Sequence, residues 1–457
     1  MECNYSRIVK IFITLIIFFS LKQSFADTIS MDKSISVSRE NREAFAAPIP
    51  SLNLNKMRLF TGGRHLFRRS WTPAPSSVKS LDGLGPVFNR VSCSGCHVKD
   101  GRGKPPEENS NKFKSMVIKL SLIKNNLIYP DPKYGYQLND KAILGVPFEG
   151  KAKINYLTKI VSFEDETTVS LSKPIYSFDN LSFGPFDINT KHSGRVAPAV
   201  FGLGLIEAIN ENDILSKADP EDQDKDGISG RPHYILDVPS KTLKIGKYGW
   251  KATRATLLHH ITGAASQDMG LTSSIFPDKN CMPVQKDCKE KISGGTPEIS
   301  DDQIDRLLLY MQTLAAPLQR NKNDKAVLQG HDLFKKIGCN KCHTESYKTG
   351  EHQIHKELSH KIITPYSDFL LHDMGPDLDD KVSEGDASSS EWKTPPLWGI
   401  GLVEKVNKHT RFLHDGRAKS IEEAIIWHGG EAENSKNKYL KLNKKDRNYL
   451  LKFLNSL

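Results

Sequence analysis

The sequence predicts a mainly α chain in two domains, with a β-rich insertion in the N-terminal half. Three observations carry that expectation. A Cys-x-x-Cys-His motif occurs twice, at Cys93, Cys96, His97 and at Cys339, Cys342, His343, far enough apart to sit in separate domains. Beyond residue 300 apolar residues recur at helical spacing. Between about residues 115 and 178 they alternate with polar ones instead.

From the N-terminus, Arg7 and Lys10 precede an apolar run from Ile11 to Phe19, and Ser24-Phe25-Ala26 supplies the pattern a signal peptidase cuts. The run is too short to cross a bilayer, and no later segment is long and apolar enough to do so. Residues 1–26 therefore read as a signal peptide, and the mature chain as periplasmic or otherwise exported, with no membrane span. Residues 27–60 are polar, lack periodicity and contain Pro48 and Pro50, so a loosely held arm is expected. Met116-Val117-Ile118-Lys119-Leu120 and Ile154-Asn155-Tyr156-Leu157 read as strands separated by turn signals such as Pro130-Asp131-Pro132. Ser300 with Gln303 forms a capping box ahead of Ile304, Leu307, Leu308, Met311 and Leu314, a helix that runs to Pro317. Further helices are predicted over 325–336, 420–428 and 444–457. The domains are placed at 27–320, with the β insertion and an acidic loop, and at 321–457. Gly63-x-x-Leu66-Phe67 before the first motif is echoed by Gly330-x-x-Leu333-Phe334 before the second. Asp268-Met269-Gly270 is echoed by Asp373-Met374-Gly375, a sign of a diverged internal duplication.

The formal net charge is +10, but the lysines are scattered and lack interleaved aromatics, which argues against a nucleic-acid partner. A solvated surface is the plain reading; docking of an acidic electron-transfer partner is the sharper one. Of seven cysteines, Cys3 leaves with the signal and four belong to the repeated motif. Cys281 and Cys288 remain, as a loop disulfide in an oxidising compartment or as two thiols.

Two thiols at Cys-x-x-Cys spacing can each form a thioether with a haem vinyl group, and the adjoining imidazole then sits under the iron. Two such motifs behind an export signal predict two cytochrome c-like haem domains, each with a covalent c-type haem; a zinc site built from both cysteine pairs is the competing reading. His97 and His343 are the expected proximal ligands. Met374 is a candidate sixth ligand of the second iron, with His372, His409, His414 and His428 as competitors. No His follows His97 within ninety residues, so the first iron is expected to be open or distantly ligated. Peroxide cleavage there needs a distal group to move a proton, and Glu207, His259 and His260 are the candidates. Each also has a bland reading, as a solvated carboxylate or a satisfied histidine. Asp222, Asp224 and Asp226, followed by Gly227, form the opening half of a calcium loop, although His233 stands where an EF-hand has Glu. A structural calcium ion is expected, against a solvated acidic turn.

Gly83-Leu84-Gly85-Pro86-Val87-Phe88-Asn89 runs into the first motif and Asp100-Gly101-Arg102-Gly103. With Gly204-Leu205-Ile206-Glu207, Leu371-His372-Asp373-Met374-Gly375-Pro376 and Leu413-His414-Asp415-Gly416-Arg417, this stretch resembles the di-haem oxidoreductase (putative peroxidase) family. The resemblance covers nearly the whole mature chain. It implies an active haem, a second haem that stores or relays an electron, and a calcium ion between domains. Ala255-Thr256-Leu257-Leu258-His259-His260 departs from relatives that tend to carry Glu or Gln there, so the proton-handling group differs. The expected function is an exported di-haem oxidoreductase reducing hydrogen peroxide with electrons from a small redox protein. The alternatives are an electron-transfer cytochrome with no substrate chemistry, and an oxidase of a protein or metal-bound substrate.

Overall fold

The computed structural model describes residues 29–125 and 127–457, so the expected signal peptide lies outside the described residues. The chain is not mainly α. It holds 28% helix and 20% strand, and the strands are spread over many small sheets. The expectation failed because the two Cys-x-x-Cys-His segments and their Gly- and Pro-rich surroundings form short turns, while helical periodicity is confined to a few segments.

In chain order the helices that matter are α1 (Leu54–Arg68), α2 (Leu203–Glu207), α3 (Leu257–Met269), α4 (Asp301–Gln312), α5 (Lys325–Lys336), α6 (Ile421–Trp427) and α7 (Lys444–Ser456). The longer strands are β1 (Met116–Lys124), β2 (Lys151–Ser162), β3 (Thr168–Asp179) and β4 (Thr190–Val196). The capping box of α4 forms in both directions between Ser300 and Gln303, yet the helix stops at Gln312 because Ala316–Pro317 is drawn into a parallel pair with Ser36–Val37.

That pairing also overturns the loose N-terminal arm. Ile35, Phe45 and Ile49 are fully buried and Phe45 stacks on Phe201 at 4.3 Å. Each plugs the core singly, so no periodic face advertised them.

Two helix crossings organise the molecule. Helix α1 packs on α4, and a Cβ on Gly63 would lie 2.0 Å from the Arg306 carbonyl oxygen. Helix α5 packs on α7, and a Cβ on Gly330 would lie 2.0 Å from the Tyr449 carbonyl oxygen. Only glycine permits either approach. The Gly-x-x-Leu-Phe echo in the sequence is thus matched by the same backbone contact in space.

The β region expected over 115–178 runs on to residue 196, where β4 pairs antiparallel with β1 from Met116↔Val196 to Leu122↔Thr190. Strands β2 and β3 form a long hairpin, Lys151↔Asp179 to Ser162↔Thr168. Its tip leaves the first half: Phe163 and Leu171 are buried with Val327, Trp427 and Tyr439. Arg447 lies 4.1 Å over the Phe163 ring and 2.8 Å from Asp165. The core of the first half likewise crosses residue 320, taking in Tyr347, Leu358, Phe369 and Trp398. Cys281 and Cys288 form a disulfide with Cα atoms 5.8 Å apart. Among the described residues no helix is long and apolar enough to cross a membrane.

Candidate haem sites

Both motifs fold as a single tight turn, in which the His97 amide donates to the Cys93 carbonyl at 3.0 Å and the His343 amide to the Cys339 carbonyl at 3.0 Å. Each turn follows the Phe of the repeated Gly-x-x-Leu-Phe. The Phe67 and His97 rings are 6.2 Å apart at 50°, and Phe334 and His343 are 6.3 Å apart at 50°. His97 donates from Nδ1 to the Pro198 carbonyl at 2.7 Å, and His343 from Nδ1 to the Tyr366 carbonyl at 2.9 Å. A fixed Nδ1–H leaves Nε2 with its lone pair, the state in which imidazole binds iron. Burial holds both imidazoles unprotonated, His343 down to about 4. The four thiols are unpaired, and burial pushes Cys93, Cys96 and Cys339 up to about 12, as S–H groups. Among the described residues the clusters of converging ligand atoms are Cys342–Asp368–His372 and Asp219–Asp222–Asp224. Neither joins the two cysteine pairs, so a shared four-cysteine zinc site is not built.

A cavity of about 300 Å³ opens beside the second motif. Cys339, Cys342, His343, Met374 and His428 line one part of it, Trp392, Trp398 and Pro396 another, and His260 and Pro198 bring it to the side of His97. Three cations line this mainly apolar space without an ion-paired acid, and Lys247 is satisfied by the Glu207 and Ile209 carbonyls, whereas Arg102 and Lys393 are not. Arg102, two residues past Asp100 in the motif downstream of His97, donates to the Leu413 carbonyl at 2.6 Å but leaves Nε unpaired, and burial lowers it to about 10. Lys393 reaches only the Thr394 carbonyl, at 3.5 Å, and burial brings it down to about 8. Buried cations need counter-charge. The paired carboxylates of a haem would supply it, so the residues fit the group: His343 and the two cysteines would hold it, with Arg102 and Lys393 available for the propionates.

The three candidate proton-handling residues separate in space. Adjacent positions on a helix point about 100° apart, and α3 uses this to divide His259 from His260. His259 turns to Asp237, 3.4 Å from Nδ1, and packs on Phe276 away from the cavity. His260 stacks on Tyr248 at 5.9 Å and faces the cavity. Burial, with the charge of Arg254, drives His260 down to about 3. Glu207 accepts from the Leu257 amide at 2.9 Å, where it caps α3, and from Gln312, with His352 at 3.6 Å. Burial would raise this carboxyl, but the bonds from His352, Leu257 and Gln312 outweigh it and hold it below the usual range.

Among the candidates for a sixth ligand, His372 bonds both Asp368 at 2.9 Å and Glu431 at 2.7 Å. Burial opposes its protonation, yet these carboxylates and Cys342 raise it well above the ordinary range. His409 is committed at both nitrogens, to the Arg102 carbonyl and the Arg411 amide. His414 lies flat on Trp392, centroids 3.7 Å apart, with Nε2 toward Asp415 at 3.5 Å. Met374 and His428 both face the cavity. In the acidic loop the carboxylates that gather are Asp219, Asp222 and Asp224, while Asp226 pairs with Lys341 at 2.6 Å. Arg102 stood inside a quoted motif, which was its signal; Lys393 gave none, since an isolated lysine reads as surface.

Two Cys-x-x-Cys-His turns of one geometry, the second lining a cavity that also carries unpaired cations and unprotonated imidazoles, fit a protein that would hold haem. The chain belongs to the family described as di-haem oxidoreductase, putative peroxidase, which it matches over residues 21–457. No curated protein matches the chain at a significant level.

Proposed function

We propose that this chain is an exported di-haem peroxidase, with both haems held by thioethers, that reduces hydrogen peroxide with electrons from a small redox protein. The balance is H2O2 + 2 e⁻ + 2 H⁺ → 2 H2O. The observation that carries the reading is His260, an unprotonated imidazole facing the cavity beside His97. Haem, when bound, would supply the redox-active iron through which electrons pass from the donor to peroxide. His97 would hold the first iron, its ring fixed by the Pro198 carbonyl. His260 accepts a proton at its ring nitrogen from one peroxide oxygen and delivers it to the other, the role a distal base fills. Glu207 positions His260 by capping the helix that carries it, and His259 anchors the same helix through Asp237. His343 would hold the relay haem, and Met374 and His428 line the same cavity. The Cys281–Cys288 disulfide supports an oxidising compartment. His260→Ala is expected to lower kcat for peroxide by about 10²–10⁴-fold in protein that still carries two haems by pyridine haemochrome assay. Unchanged turnover would remove His260 from the reaction.

One observation favours a second reading. The free nitrogen of His260 could itself bind the first iron, leaving an electron-transfer cytochrome with no substrate chemistry. A ferric protein with both irons low-spin and inert to cyanide and peroxide selects that reading. A high-spin signal that responds to either selects the peroxidase.

A further inference from the structure

We infer that the sixth ligand of the second haem is Nε2 of His428, not the thioether of Met374. The inference rests on the haem-binding reading above and goes beyond it by fixing the chemistry of the relay iron.

His428 ends α6 as its C-cap, with extended backbone (φ −60°, ψ 138°). Its Nδ1 donates to the Ala424 carbonyl at 2.6 Å. This is the device seen at His97 and His343, at 2.7 and 2.9 Å, and it leaves Nε2 as a lone-pair donor. The ring lines the same cavity as Cys339, Cys342 and His343. His372 and His409 are each occupied by hydrogen-bond partners, while His414, whose Nε2 has no hydrogen bond, is held flat against Trp392 with Asp415 3.5 Å from that nitrogen.

Met374 and His428 share one wall. A Cβ on Gly429 would lie 3.0 Å from the Met374 carbonyl, and one on Gly430 2.2 Å from the Asp373 carbonyl, so the two segments are in backbone contact. The chemistry of the two side chains then decides. Met374 packs against the apolar cluster around Trp427, where a thioether loses nothing by being unligated. An imidazole nitrogen in the same apolar wall is destabilising until something accepts its lone pair. Iron does so. Paired imidazoles also give the relay a lower potential than imidazole with thioether.

The test uses the full-length holoprotein with two haems confirmed by pyridine haemochrome, read by ferric EPR and near-infrared magnetic circular dichroism. His428→Ala should lose one bis-imidazole low-spin signal and gain a cyanide-binding high-spin haem, and added imidazole should restore the low-spin signal. Met374→Leu should leave the ligand-field spectrum unchanged. If His428→Ala sheds the haem, His428→Met is the second variant: a thioether-to-iron absorption band should appear and the potential should rise. The inference is overturned if Met374→Leu abolishes a low-spin signal, if His428→Ala leaves the spectrum intact, or if His428→Met changes neither band nor potential. Fewer than two haems per wild-type chain would instead defeat the reading on which it rests.

Discussion

His409 accepts a hydrogen bond from the Arg411 amide at Nδ1 and donates from Nε2 to the Arg102 carbonyl, an arrangement open only to the neutral ring. His233 does the same between the Asp386 amide and the Lys251 carbonyl. Burial is the main cause that lowers both, His409 to about 4. An unfolded chain takes up these protons near pH 6.5, whereas the folded chain resists until about pH 4 in the case of His409. Stability from these residues is therefore fully present above pH 6.5 and drains away as pH falls through that window. Denaturant midpoints measured from pH 8 to pH 4 should drop below pH 6.5, and His409→Asn should flatten part of the slope; a flat wild-type profile would rule this account out. Residue by residue, the sequence was legible where spacing sets local geometry, as at Cys93–His97 and Cys339–His343, which fold as the same tight turn. It was illegible where orientation decides. The pair His259–His260 was visible, but which ring meets the cavity depends on the rotation of α3, set by Glu207 and Thr256 at its N-terminus.

At the scale of elements, the two glycine crossings are the most constrained contacts. Gly330→Ala would drive a methyl into the Tyr449 carbonyl and the Phe453 Cβ. Overpacking of this kind destabilises by about 1–3 kcal/mol. Because Phe334, one turn on, packs near His343, thermal melting and retention of the second haem should fall together. Gly63→Ala should repeat the effect at the first haem, and loss of haem from the wrong site would break the equivalence. The helix announced by a capping box was readable in advance at Ser300–Gln303, while the cap of α5, Asp324, whose side chain accepts from the Ala326 and Val327 amides, emerges from the structure. The mainly α expectation failed because two haem motifs say nothing of the chain between them, where β1 to β4 lie. Alternation revealed β1 and β2, but not β4, whose Thr190-Lys191-His192-Ser193-Gly194-Arg195-Val196 is polar and becomes a strand only by pairing with β1.

Across the whole molecule, charge stitches the halves together. Arg195 on β4 meets Asp380 and Glu384, with its guanidinium 4.6 Å over Trp392. The acidic loop adds a second seam, because Asp226 holds Lys341 between the two cysteines of the second motif. We propose a calcium ion at Asp219, Asp222 and Asp224, which brings oxygen ligands within 4.8 Å of one another. Removing it with a chelator should lower the melting temperature and restore it on adding calcium but not magnesium; an unchanged melt would leave the loop as a solvated turn.

The long hairpin gives the chain a timetable. Ribosomes finish Phe163 and Leu171 well before they reach Trp427, Tyr439 and Arg447, the residues that shelter this fingertip. Until the last stretch is made, an apolar tip has nowhere to go, and it adheres to any greasy surface on offer. Burial of the fingertip therefore waits on the C-terminal stretch, and until then it is the part of the chain to be kept from strangers.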